Sequence, residues 1–240
     1  MKKRENVVLY GGGGGAVEIA RYINDQNQSD VGSAAAIVTD VIDEGEGRNA
    51  DLNSIVGTNV LFHNSVDSVE DIANKKCIVT LGNSPIRHEI YLSLGKKCGG
   101  FYTVIHPSAL VSAQASVGEG SIISPYTLLG TYSELGPNTF VNIRVTVGHD
   151  AVIGESSILS PHCAISGAVQ CGRCVYFGAG VVVNPGIRIG SFSKLSSGAI
   201  VVSDVDEGCI AFGNPARATR MFNPENGHSL FLPKLSLIHI

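Results

Sequence analysis

Val141-Asn142-Ile143-Arg144-Val145-Thr146-Val147-Gly148-His149-Asp150-Ala151-Val152-Ile153-Gly154 carries the pattern that decides the fold. Val141, Val147 and Ile153 are apolar and stand six residues apart, and the small or β-branched Val145 and Ala151 follow the first two at a spacing of four. Stepping outward by six, the apolar position recurs without a slip. It runs back through Leu135, Leu129, Ile123, Val117 and Val111 to Ile105, and forward through Leu159, Ile165, Cys171, Phe177, Val183, Ile189 and Leu195 to Val201. An ordinary half-buried strand repeats every two residues, so a strict period of six describes a short strand plus a corner, many times over. Three such units close a triangular coil of about 18 residues, and coils stack as parallel strands around a column of aliphatic side chains. The pattern predicts a left-handed parallel β-helix over residues 104–206, followed by a tail at 207–240. Glycine often follows the aliphatic position, as at Gly118, Gly130, Gly136, Gly148, Gly154, Gly172, Gly178 and Gly190, where it is expected to serve corners of positive φ.

Composition agrees with a turn-rich β structure: 29 glycines, no tryptophan and only 16% charged residues in 240. A net charge of −4 argues against a nucleic-acid surface. No apolar run approaches the roughly 20 residues that cross a bilayer. Val7 to Tyr10, after a basic N-terminus, is too short for a signal-peptide core, so a cytoplasmic location is expected. Six cysteines are spread too thinly for a disulfide framework. In the hexad register Cys171 faces the core and Cys174 does not, so this C-x-x-C pair reads as structural.

Residues 1–103 read as a small Rossmann-like α/β domain. Val7 to Tyr10 is a strand, Gly11 to Gly15 a turn, and Ala16 onward a helix with Ile19, Ala20 and Ile23 on one face. Ala34 to Val38 is a second strand ending in Thr39-Asp40, and Cys77 to Leu81 a third, followed by a helix from about Pro85 to Leu94. A glycine-rich strand-to-helix turn lets backbone N–H groups approach a phosphate, and Asp40 stands where an acid would meet a ribose. About 100 residues hold one mononucleotide half, which favours a nucleotide-sugar pocket over NAD; a tight turn that binds nothing is the alternative.

Together these features resemble the bacterial sugar O- and N-acyltransferases of the sialic acid O-acetyltransferase and bacillosamine N-acetyltransferase type. The resemblance rests on the glycine turn, Thr39-Asp40, Leu81-Gly82-Asn83-Ser84-Pro85-Ile86-Arg87, Ile105-His106-Pro107-Ser108-Ala109, Gly148-His149-Asp150-Ala151-Val152-Ile153-Gly154 and Gly213-Asn214-Pro215-Ala216-Arg217. It implies acetyl-CoA as co-substrate, His149 as general base and Asp150 as the acid that raises its basicity. It also implies CoA contacts at Gly167, Ala179 and Ser197, and nucleotide-sugar contacts at Gly13, Gly14, Gly15, Thr39, Asp40 and Gly82. A homotrimer with its sites between subunits is a further implication. Two positions depart from the family pattern: Gly15 stands where many members have histidine in the turn, and Ile158 where some carry a second histidine.

The residues themselves fit that chemistry. Acyl transfer from a thioester needs a base for the nucleophile and a donor for the developing oxyanion. Histidine, with an ordinary pKa near 6.5, is mostly a base at neutral pH. Thr131, His149, Gly167 and Pro185 stack in one column, so a Gly167 N–H could serve the oxyanion. Asn142 is expected near the surface of that column, as a substrate contact. His162 is the rival base, His106 reads as structural or as a sugar contact, and His63 and His88 read as surface residues. No histidine pair has metal-ligand spacing, and no metal is expected. A non-catalytic or zinc-dependent, carbonic-anhydrase-like β-helix stays open as another class, as does acylation of a hydroxyl in place of an amine. The last six residues, Leu235 to Ile240, match the translation of a transposon adaptor and are expected to be foreign to the gene.

Overall fold

The computed structural model describes residues 4–29, 35–43, 52 and 60–220. In the front domain strand β1 (Arg4–Tyr10) leads into helix α1 (Gly14–Gln28), then β2 (Ala35–Ile42), β3 (Leu61–His63), β4 (Lys76–Val79) and helix α2 (Ser84–Leu94). The four strands form one parallel sheet in the order β3-β2-β1-β4. Parallel sheets need cover on both faces, and β1 shows it. Val7 and Leu9 join the cluster with Ile19, Ala20 and Ile23 of α1, while Val8 and Tyr10 join that with Leu94 of α2. The helical face read from the sequence is therefore the buried one.

The second strand runs further than its sequence suggests. Val7 pairs with Val38 but Val8 pairs with Asp40, so Thr39 is the extra residue of a bulge and pairing continues to Ile42. Thr39 and Asp40 lie inside the strand, not at its end. The acid that follows the strand is Asp43, against the glycine turn: a Cβ on Gly12 would stand 2.8 Å from its Cγ.

From Val104–Ile105 to Ile200–Val201, two-residue strands recur every six residues. Up to Val182–Val183 each pairs in parallel with the strand 18 residues on, as Val147 does with Ile165. Three faces result. The first holds Phe140–Val141, the second Thr146–Val147 and the third Val152–Ile153. The aliphatic positions from Ile123 to Val201 are all buried in one column, whereas Ile105, Val111 and Val117 of the first coil are half-buried. Full burial of one such side chain stabilises by roughly 1.5–3 kcal/mol before ordering entropy is subtracted.

The glycines after the aliphatic positions do a different job from the one expected. Positive φ falls two residues later, mostly at non-glycine residues: Tyr126, Tyr132, Asn138, Arg144, Asp150, Ser156, His162, Ala168, Cys174 and Phe192. The glycines instead let coils approach. A Cβ on Gly148 would lie 2.6 Å from the amide nitrogen of Gly167, and one on Gly136 would lie 2.5 Å from that of Glu155.

The β-helix also outlasts the expected boundary at 206. Cys209–Gly213 pairs in parallel with Lys194–Leu195 and folds back antiparallel on Ala216–Arg220, so the domain reaches Arg220. The rest of the tail, with the segment Leu235 to Ile240, lies outside the described residues. Outward side chains distinguish the three faces. On the first, Val104, Ile122, Phe140 and Ile158 are buried in one cluster with α1. On the second, Leu110, Leu128, Thr146, Ala164, Val182 and Ile200 form an uncovered and largely apolar row, with Leu110 67% exposed. The third, with Ser116, Glu134, Val152, Gln170 and Arg188, is mostly polar.

Candidate active site

His149 stands at the corner between the second and third faces, two residues after the buried Val147. Asp150 takes the left-handed conformation, φ 57°, and its N–H donates to the carbonyl of Thr131 at 3.0 Å. That backbone twist turns its carboxylate back on its neighbour, and Asp150 Oδ2 lies 2.7 Å from His149 Nδ1. Both side chains are exposed. The imidazole lies over Gly167, one coil on: a Cβ there would be 2.6 Å from His149 Nε2. Absence of a side chain at 167 is therefore what gives the ring its seat. The Gly167 carbonyl accepts from Gly186 N–H at 3.0 Å, while among the described residues its own N–H donates to no backbone carbonyl. His149, Asp150 and Gly167 thus share one corner, as their sequence column predicts.

Three other expected contacts do not join them. Asn142 follows the first-face strand Phe140–Val141, so it stands at the corner between the first and second faces, its Oδ1 accepting from Ile143 N–H at 2.7 Å. Ala179 and Ser197, each two residues after a first-face strand, share that corner. The whole width of the apolar second face separates them from His149 within one chain. Asn142, expected near the surface of the His149 column, is a corner residue as the sequence suggests, but of the preceding corner. His162 also lies at the first corner, with φ 65°.

In the front domain Gly13 caps α1 without a side-chain hydrogen bond, and Cβ atoms at Gly13, Gly14 and Gly82 would meet nothing within 4 Å. Gly15 is tighter, 3.2 Å from the Thr80 carbonyl. Asp40, expected at a ribose, is fully buried and already engaged. It accepts from Lys75 Nζ at 2.6 Å and Thr39 Oγ1 at 2.6 Å, and lies 2.8 Å from His63 Nε2. Burial alone would raise its pKa, but the hydrogen bonds from Lys75, Thr39 and His63 outweigh that and hold it below the ordinary carboxylate value.

His63 and His88 are not surface residues: their side chains are 11% and 12% exposed, and His88 Nδ1 lies 3.1 Å from Ser156 Oγ. His106 ties the first coil to the front domain, its Nε2 3.2 Å from Asp25 of α1 and its ring edge-on to Tyr22. Cys171 faces the coil interior; Cys174, outside that core, is nevertheless buried. Burial pushes both thiols up to about 12. No group of three metal-ligating side chains converges among the described residues, and no helix there is long and apolar enough to cross a membrane.

No protein-family profile matches the chain. It is 28% identical to the GDP-perosamine N-acetyltransferase of Escherichia coli, over 87% of this chain and 94% of that protein. To the galactoside O-acetyltransferase of Lactococcus lactis it is 43% identical, over 20% of this chain; the match spans 24% of that protein's length. Among solved structures, PerB from Caulobacter crescentus, in complex with CoA and GDP-perosamine, superposes with a TM-score of 0.75 at 25% identity, covering 89% of this chain and 97% of that one. The acetyltransferase domain of PglB from Neisseria gonorrhoeae shares the fold, with a TM-score of 0.74 at 24% identity over 90% of this chain and 100% of its own. The chain's relatives are sugar O- and N-acetyltransferases, the family that its motifs resemble.

Proposed function

We propose that the chain is an acetyl-CoA-dependent acetyltransferase that modifies an amino group of a nucleotide-linked sugar, with His149 as general base. The observation that carries this reading is the His149–Asp150 pair at 2.7 Å, seated over Gly167. With Nδ1–H donating to Asp150, Nε2 keeps its lone pair for the acceptor's proton, and Asp150 stabilises the imidazolium that forms. The amine attacks the thioester carbonyl, and the oxyanion takes the Gly167 N–H, which donates to no backbone carbonyl among the described residues. Collapse forms the amide and expels the CoA thiolate, which leaves with the proton from His149. An amine is favoured over a hydroxyl because the N-acetyltransferase of GDP-perosamine aligns over 94% of its length, against 70% for a galactoside O-acetyltransferase of the same 28% identity, and because PerB is bound to GDP-perosamine.

A homotrimer completes the site. His149 and Gly167 border one edge of the uncovered apolar face, and Asn142, Ala179 and Ser197 border the other. Three copies packed through that face bring one chain's first corner against its neighbour's His149, and water is squeezed from both. Acetyl-CoA then lies between chains, along Gly167 on one side and Ala179 and Ser197 on the other. The acceptor's nucleotide takes the open glycines Gly13, Gly14 and Gly82 and the tighter Gly15, its phosphates at the N-terminus of α1. Thr39 and Asp40 shape the sheet behind that pocket. The test is a panel of nucleotide amino-sugars and their hydroxyl counterparts with acetyl-CoA, read by release of free thiol. Turnover with an amino-sugar is expected; turnover with hydroxyl acceptors alone would move the reading to O-acetylation, and none with either would overturn it.

A further inference from the structure

Arg87, on α2, is fully buried, and no ion pair reaches it among the described residues. Such a charge is costly unless something replaces its water. Here backbone carbonyls and a ring face do so. Nε donates to the Asn138 carbonyl at 2.7 Å, and Nη1 donates to the Val79 carbonyl and, at 3.4 Å, to that of Leu81. The guanidinium lies 5.7 Å from the Phe140 ring centre, and Nη2 is buried without a partner. Burial pushes its pKa down to about 9, which leaves it charged at neutral pH.

Those contacts run between the two domains in a definite order. Asn138 belongs to the coil that continues to His149, and its amide returns a hydrogen bond to the Arg87 carbonyl at 3.2 Å. Val79 and Leu81, the carbonyls that Arg87 holds, flank Thr80. The Thr80 hydroxyl lies 2.8 Å from the Tyr10 carbonyl and 3.0 Å from that of Gly11. Its own carbonyl abuts Gly15, and the Leu81 side chain abuts Gly11, at 3.2 and 3.0 Å from where Cβ atoms would be. The glycine turn is therefore braced by Thr80 and Leu81, these are held by Arg87, and Arg87 is tied to the coil of His149.

We propose that Arg87 is a positioning residue for the acceptor, fixing the glycine turn over the coil that carries the base. The proposal rests on the function argued above, but its first readout does not. In the full-length protein, Arg87→Met should speed hydrogen exchange of the amides from Gly11 to Ala16 by about tenfold, with coil amides around His149 unchanged. The acceptor KM should rise about tenfold, while kcat and the acetyl-CoA KM stay within about twofold. Arg87→Lys keeps the charge but cannot fork between two carbonyls, and should fall between. Unchanged exchange at the turn would overturn the proposal, as would a uniform rise across both domains with every kinetic constant drifting together. Should Arg87→Met fail to fold, Thr80→Val breaks the next link and must loosen the same amides; a turn as protected as in the wild type would then overturn it. Were the wild type inactive on all nucleotide sugars, the function would fall while the exchange result still judged the brace.

Discussion

Gly167→Ala isolates the seat of the catalytic ring. A methyl there would stand 2.6 Å from His149 Nε2, where ordinary contact begins at 3.4 Å, so the ring must yield by the difference, about 0.8 Å. It can do so cheaply because the side chain is 71% exposed. Gly167 is not among the residues of positive φ, so alanine is conformationally acceptable and recovers about 0.4–1 kcal/mol through the unfolded state. Stability should therefore change by no more than about 1 kcal/mol. Activity should not be spared, because a displacement near 1 Å at a reacting group costs up to about 10²-fold. The assay is free-thiol release under saturating acetyl-CoA and acceptor, beside a thermal melt. A kcat loss of about 10- to 100-fold with an intact melt is expected. Wild-type turnover in Gly167→Ala would refute the idea that this glycine seats the base.

Two other expectations concern the scaffold. Asp40→Asn removes the charge and one of the two acceptor oxygens of a buried hydrogen-bonded network and should cost about 3 kcal/mol or more in a denaturant melt. Because the folded pKa of Asp40 is lowered, its contribution is complete above the unfolded value near 3.9 and is lost as pH falls through the folded value. The wild type should thus lose stability in that acid range, and the variant should lose less; parallel acid limbs would count against the network. Leu128→Glu, on the exposed row of the second face, should yield monomers by light scattering and abolish transfer while leaving the circular dichroism of the coils unchanged. A fully active monomer would dispose of the shared site.

The β-helix was legible because its inward positions repeat at fixed spacing, from Ile105 to Val201, whatever the residues between. What failed to show was the reason for a residue rather than its place. Gly148 and Gly136 look like corner glycines, yet the corners of positive φ are filled by residues such as Asp150 and His162. Period alone cannot separate a demand of backbone angle from a demand of space between coils. Asp40 was misplaced by a bulge at Thr39, a one-residue irregularity with no composition signal. His63 and His88 are half-buried against partners from distant segments, Asp40 and Ser156, which local reading does not see. The hairpin Cys209–Arg220 was lost because antiparallel pairing abandons the six-residue period. The His149–Asp150–Gly167 corner came through intact because its members are adjacent or one coil apart. Arg87 was visible only as part of a motif; its isolation from carboxylates among the described residues needed the fold.

The account's central claim is tested most directly by His149→Ala, assayed for acetyl transfer to a nucleotide amino-sugar that the wild type accepts. His149 follows the inward position held by Val147, so removing its ring should leave the core, the oligomer and acetyl-CoA binding in place. The predicted result is a loss of transfer of about 10²–10⁴-fold, the range expected for a general base, with His162→Ala retaining substantial turnover. Turnover near wild type in His149→Ala, with its loss in His162→Ala, would contradict the account and move the base to the other corner.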